Sequence, residues 1–372
     1  MSKHILFFAD GTWNSPDQDD DKDGSPDPTN VYKLFLKVDG EYDPLSMLKD
    51  QEQEVVLKAA DGSVVQIAKY INGVGASDNP INKILGGTLG AGIIKRIVRG
   101  YTFISRNYEP GDKIHLVGFS RGAYTARALG GLLVSQGVLR KELTDNQEDA
   151  YVYGASAWYR YREDGAKRNN LFGRLLDALS DLPAWLSQGK LQDGDLVPID
   201  SIETVAVWDT VGSLGIPAFA SPDKRLDVFR FADTALSPKV KLGIHAISLD
   251  ERRFDFTPTL WDSAANVEQL LFSGAHGDVG GGYSLNGDES GLSDIALDWL
   301  RLKLIGQGVQ ISKEGLPCTP DPLGVSHQPW REPPFNTLLQ AARQFPADIQ
   351  KHESVATRLQ KLAAAAGTPA AK

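Results

Sequence analysis

Short apolar runs alternate with stretches of helical spacing along much of this chain. Residues 5–9, 113–119, 204–208, 243–249 and 269–272 are brief, mostly apolar and bounded by turn residues, so they read as buried strands. Between them lie helical patterns. Thr29-Asn30 is placed to cap a helix carrying Val31, Leu34 and Phe35. Ile84, Leu85, Leu89, Ile93, Ile94, Ile97, Val98 and Tyr101 recur at helical spacing, interrupted by the glycines of residues 86–92. Small residues after Gly122 and the stretch 290–305 predict two more helices. Strands alternating with helices predict an α/β fold with a mostly parallel sheet. One exception is a hairpin, with residues 54–57 and 64–67 flanking Ala60-Asp61-Gly62-Ser63. Beyond residue 306 prolines predict loops, then helices over 336–345 and on to about 365. Residues 1–366 read as one domain and 367–372 as a frayed tail.

The segment 141–200 breaks the alternation. It holds an aromatic cluster at Tyr151, Tyr153, Trp158, Tyr159 and Tyr161. An amphipathic pattern then runs over 171–186. Placed after a strand-end helix, this segment reads either as a lid over a site or as ordinary core packing.

Composition narrows the function classes. Of 372 residues 41% are hydrophobic and 23% charged, as in an ordinary globular protein. A net charge of −9 argues against nucleic acid and against electrostatic capture by anionic membranes. One cysteine, Cys318, excludes an internal disulfide and any multi-cysteine metal site. No secretory signal is visible and no stretch has the roughly 18 apolar residues of a membrane span. The expected location is the cytoplasm, with export lacking a cleavable signal peptide left open.

The chemistry centres on Gly118-Phe119-Ser120-Arg121-Gly122. It fits G-x-S-x-G between a predicted strand and a predicted helix, the setting of a nucleophile elbow. The other candidates also follow strands. Asp209 ends the strand 204–208, and His276 lies in the glycine-rich loop after 269–272. The order Ser120, Asp209, His276 is that of the α/β hydrolases. In that scheme His276 deprotonates Ser120 and Asp209 fixes the tautomer. The loop Asp10-Gly11-Thr12-Trp13-Asn14 offers N–H groups at Gly11 and Thr12 as half of an oxyanion hole, and the N–H of Arg121 offers the other half. Asp10 and Asp278 compete with Asp209 for the acid and read better as supporting groups. His327 is the reserve base. A metal cluster of Asp10, Asp209, His276 and Asp278 is the weaker alternative, and calcium in the aspartate-rich loop 15–28 lacks the EF-hand spacing.

Four motifs in order carry a family resemblance. They are Asp10-Gly11-Thr12-Trp13-Asn14, Gly118-Phe119-Ser120-Arg121-Gly122-Ala123, Val207-Trp208-Asp209-Thr210-Val211 and the run from Gly274 to Tyr283 that contains His276 and Asp278. Together they resemble the α/β-hydrolase domain called "domain of unknown function 2235", which includes type VI secretion phospholipase effectors of the first lipase class. The resemblance spans roughly residues 3–300 and includes residues 245–251. It implies a triad of Ser120, Asp209 and His276, no cofactor, and hydrolysis of phospholipid acyl esters by some members. It also implies a secretion-system or immunity partner. The larger effectors carry additional membrane-contacting segments for which 372 residues leave little room. The expectation is a serine ester hydrolase, with phospholipid the favoured substrate. A carboxylesterase for small soluble esters and a catalytically silent interaction module are the alternatives.

Overall fold

The computed structural model describes residues 2–11, 14–19, 23–43, 52–73, 88–166, 191–192, 194–211, 234–312, 314–333, 335–337 and 339–366. In chain order the strands are β1 (His4–Ala9), β2 (Glu41–Tyr42), β3 (Glu52–Lys58), β4 (Val64–Ile71), β5 (Lys113–Phe119), β6 (Val138–Leu139), β7 (Leu196–Val197), β8 (Ile202–Trp208), β9 (Val240–Ser248), β10 (Val267–Phe272) and β11 (Gln350–Lys351). The α-helices are α1 (Asn30–Leu36), α2 (Thr88–Asn107), α3 (Arg121–Gln136), α4 (Gln147–Ala166), α5 (His276–Gly280), α6 (Gly291–Gly306) and α7 (Glu353–Ala365).

Among the described residues nine strands form one sheet in the order β11-β10-β9-β8-β5-β1-β4-β3-β2. The pairs from β11 to β4 are all parallel, and only the β4-β3-β2 edge is antiparallel. This is an α/β-hydrolase-like arrangement, a mostly parallel sheet with helices on both faces. The cause is visible in single strands. Side chains alternate faces along a strand, so Ile5, Phe7 and Ala9 of β1 enter one core cluster while Leu6 and Phe8 enter the other. The first cluster is closed by apolar side chains of α2, α3 and α4, and the second by those of α1 and α6. Both faces of the central strands are therefore dry, which is why they read as continuous apolar runs rather than alternating ones.

Most predicted elements form as expected. Thr29 caps α1, its side chain accepting from the Tyr32 N–H. The hairpin is β3–β4, and β4 absorbs the separate strand expected from Tyr70. Two expectations change. Among the described residues of 336–345 no α-helix forms: a 3₁₀ turn covers Phe335–Thr337, and residues 339–345 run as a strap without helix. The aromatic cluster of 151–161 lies on α4, where Trp158 and Tyr159 are buried in the first core cluster with α2 and α3. That part of the segment packs as core. The amphipathic pattern of 171–186 lies outside the described residues.

Candidate active site

Parallel strands with matched register bring their carboxyl ends to one edge. Phe119 of β5 pairs with Trp208 of β8, Trp208 with Ala246 of β9, and Ser248 of β9 with Phe272 of β10. The residues that follow are therefore delivered side by side, at the end of an open α/β sheet where ligands bind. Ser120, Asp209 and His276 all leave the sheet there.

Ser120 occupies the turn between β5 and α3 with φ 57 and ψ −121. A left-handed φ at a non-glycine residue costs about 1–3 kcal/mol and persists only where the surroundings impose it. The glycines on either side explain how this one persists. A Cβ on Gly122 would collide with the carbonyl oxygens of Ala9 and Asp10, and one on Gly118 would collide with the Gly122 backbone. Only glycine at both positions lets the helix start close on the sheet. The Ser120 N–H still donates to Trp208 O at 3.1 Å, which ties the turn to β8.

Asp209 is fully buried and also adopts a positive φ, 34°. Its Oδ2 lies 2.5 Å from His276 Nδ1. Its Oδ1 accepts the Ser248 N–H at 3.0 Å. Arg343 Nη1 donates to Oδ1 at 2.7 Å and Nη2 to Oδ2 at 2.9 Å. Burial pushes the Asp209 pKa up, but the charges and bonds of Arg343 and His276 outweigh it and hold the carboxyl well below its usual range. With an ionised acceptor at Nδ1, that nitrogen carries the ring proton and Nε2 is left as the basic atom.

His276 opens α5, with its ring between those of Phe119 at 4.5 Å and Phe256 at 5.0 Å between centroids. Contact with Phe119 places the imidazole against the residue that precedes Ser120. Its backbone N–H donates to Glu251 Oε2 at 3.1 Å, and Glu251 is itself paired with Arg253. Burial lowers the His276 pKa, with Arg253 acting the same way, while Asp209 and Glu251 oppose. The imidazole accordingly gives up its proton more readily than an ordinary histidine.

The remaining candidates sort as follows. Asp10 accepts from Tyr70 Oη at 2.6 Å, from Thr29 Oγ1 at 2.8 and 2.9 Å, and from the Gly11 N–H at 2.7 Å. Burial raises its pKa to about 6 against those bonds. Gly11 lies against Ser120, since a Cβ built on it would sit 3.4 Å from Ser120 Cβ. Its N–H, however, is engaged by Asp10, and Thr12 lies outside the described residues. Arg121 opens α3 directly after Ser120. Asp278 accepts the Ala275 N–H at 2.7 Å, the His327 N–H at 3.0 Å and His327 Nδ1 at 2.6 Å. The reserve base is thus joined to Asp278. His245 accepts the Thr210 N–H on Nε2 at 3.0 Å, a structural bond. Among the described residues no group of three or more His, Cys, Asp or Glu side chains is placed to hold a metal ion. Nor is any described helix long and apolar enough to cross a membrane.

Arg343 is not among the candidates expected from the residues, and Glu251 is there only as part of the 245–251 motif. An acid three residues past a strand end is a usable signal for Glu251. Nothing local distinguishes Arg343, which stands 134 positions from Asp209 in a stretch that reads as helix.

Sheet, elbow and strand-end acid and histidine define the α/β-hydrolase-like class. Comparison with known proteins then gives the family. Residues 3–302 match the model described as "T6SS, Phospholipase effector Tle1-like, catalytic domain", and the chain belongs to that family. It is 27% identical over 275 residues to the Uncharacterized protein YEL023C of Saccharomyces cerevisiae, covering 72% of this chain and 34% of that protein. It also resembles the crystal structure of an uncharacterized protein from Pseudomonas aeruginosa, with 18% identity, 98% and 51% of the two chains covered and a TM-score of 0.47. The Tle1 effector bound to the VgrG spike of the type 6 secretion system shares 19% identity over 76% of this chain and 52% of that one, at a TM-score of 0.34. The chain thus spans about a third of the yeast relative's length and about half of each of these two structures.

Proposed function

We propose that this protein hydrolyses carboxylic esters with Ser120 as nucleophile, His276 as general base and Asp209 as the group that orients it. The observation that carries the reading is the 2.5 Å contact between His276 Nδ1 and Asp209 Oδ2, at the sheet edge where Ser120 stands on its strained turn. Ser120 Oγ attacks the ester carbonyl as His276 Nε2 takes its proton. The tetrahedral oxyanion is stabilised by the Arg121 N–H. Collapse expels the alcohol, protonated by His276, and leaves an acyl group on Ser120. Water, deprotonated by His276, then releases the acid. Asp209 stays ionised throughout, because Arg343 and His276 stabilise its charge.

Membership of a phospholipase effector family favours phospholipid acyl esters as the substrate and a secretion-system or immunity protein as the partner. The test uses purified protein on phospholipid vesicles and on short soluble esters, with a fluorophosphonate as covalent probe. The expected result is release of fatty acid from vesicles and probe attached to Ser120, both abolished in Ser120→Ala. Turnover of soluble esters alone would move the substrate to small esters. No labelling and no turnover would leave the silent interaction module.

A further inference from the structure

We propose that Arg343 is a positioning residue of this site, clamping the Asp209 carboxylate through both oxygens and offsetting part of its charge toward His276. It comes from beyond residue 302, where the family match stops. The strap that carries it is anchored at the backbone. Phe254 N–H donates to Leu339 O at 3.0 Å, Ala341 N–H donates to Arg252 O at 2.8 Å, and Arg253 and Gln340 form an antiparallel bridge between them. Gln340 Nε2 holds Trp330 O at 2.8 Å from the other side. This pairing is what replaces the helix expected at 336–345, and it delivers the Arg343 side chain, 5% exposed, onto Asp209.

The fork does more than fill space. Each Asp209 oxygen receives two donors: Ser248 N–H and Arg343 Nη1 on Oδ1, His276 Nδ1 and Arg343 Nη2 on Oδ2. Four donors use the whole acceptor capacity of a carboxylate, so its plane cannot swing. Arg343 also donates to Ser248 O at 2.8 Å and to Phe256 O, which ties the clamp to the ends of β9 and of the turn bearing Phe256. The planar, two-pronged geometry is specific to arginine; a lysine supplies the charge without the second prong.

Charge makes the second contribution. A buried aspartate beside an imidazole favours the imidazolium, and a cation sharing the same carboxylate opposes it. The other titratable groups around His276 are Glu251 and Arg253 after β9 and, on its own helix, Asp278 with its partner His327, with the uncharged rings of Phe119 and Phe256 on either side. Arg343 is the group whose removal leaves the Asp209 charge undivided. His276 then holds its proton to higher pH.

The kinetic part of the test rests on the ester-hydrolase reading; the spectroscopic part does not. The full chain is prepared as wild type, Arg343→Ala and Arg343→Lys, and the His276 ring is titrated by NMR. The expected midpoint rises by about one pH unit in Arg343→Ala, as for loss of a neighbouring charge, and stays near wild type in Arg343→Lys. In ester assays Arg343→Ala lowers kcat by about 10²-fold with KM little changed, as for a misplaced catalytic group. The acid limb of kcat/KM moves to higher pH, and added guanidinium restores part of kcat. An unchanged His276 midpoint in folded Arg343→Ala protein overturns the proposal. If that variant does not fold, wild-type kcat in Arg343→Lys overturns the clamp. A wild type inactive on every ester refutes the hydrolase reading instead, and the NMR midpoint still decides Arg343.

Discussion

Two aspartate–histidine pairs lie close together in this protein, and they are built almost alike. His276 Nδ1 meets Asp209 at 2.5 Å, and His327 Nδ1 meets Asp278 at 2.6 Å. Both aspartate side chains are fully buried. The surroundings differ. Asp209 holds a bidentate arginine, and its pKa is driven down. Asp278 has two backbone N–H groups, at Ala275 and His327, and burial drives its pKa up against the opposing His327. His276 sits against Phe119, next to the serine turn, whereas His327 stacks on Tyr283 at 3.5 Å with Nε2 directed to Glu289, 3.7 Å away. In the proposed reaction the same bond orients a base in one pair. In the other it is a clasp that fastens the loop of residues 325–328 to the helix carrying His276. An acid–histidine contact alone does not distinguish the two pairs; the field on the acid and the neighbour of the imidazole do.

The sharpest separation comes from removing each histidine. His276→Ala is expected to lower esterase kcat by at least about 10³-fold in a folded protein, because nucleophile and base act as a unit. His327→Ala is expected to keep kcat within about tenfold and to lose about 1–2 kcal/mol of stability, the cost of a buried carboxylate deprived of one partner. Assays and thermal melts on both variants check this. A collapse of kcat in His327→Ala with His276→Ala near wild type would exchange the two roles.

Removing the acids gives a smaller effect on rate. Asp209→Asn presents the wrong group to Nδ1 and is expected to lower kcat by about 10²–10³-fold, somewhat less than loss of the base. Asp278→Asn is expected to stay within about tenfold. The pH dependence of stability separates them further, with opposite signs. Asp209 titrates below its unfolded value of about 3.9, so its contribution is present above that pH and is lost as pH falls through the folded value. Asp278 titrates above its unfolded value, so its contribution is present below about 3.9 and is lost as pH rises through the folded value. Melting curves should show the wild type's margin over Asp209→Asn shrinking in acid. The margin over Asp278→Asn should be smaller at pH 7 than near pH 4.

Much of this arrangement could be read from the residues. Parallel strands buried on both faces leave mostly apolar runs, so β1, β5, β8 and β9 announce themselves, and whatever follows each run lands at one edge. Gly118 and Gly122 mark the turn because a side chain at either has no room. Three features were hidden for physical reasons. Gln340-Ala341-Ala342-Arg343-Gln344 has the propensity of a helix, yet its backbone is held extended by pairing with residues 252–254 and its arginine by a charge 134 positions away. Long-range pairing of that kind leaves no local periodicity. The Gly11 N–H read as an oxyanion donor, but a buried carboxylate one residue earlier captures it. The aromatic residues near 151–161 carry no local sign of their partners, which are α2 and α3 in the first core cluster.

In the proposed reaction Ser120 carries the acyl group. Rapid mixing with an activated ester, acid quench and mass spectrometry of the digested protein tests it most directly. The expected result is a burst of alcohol release and an acyl adduct on the peptide containing Ser120, absent from Ser120→Ala and formed far more slowly in His276→Ala. Sustained turnover with no adduct on that peptide, or with the acyl group on another residue, would contradict it.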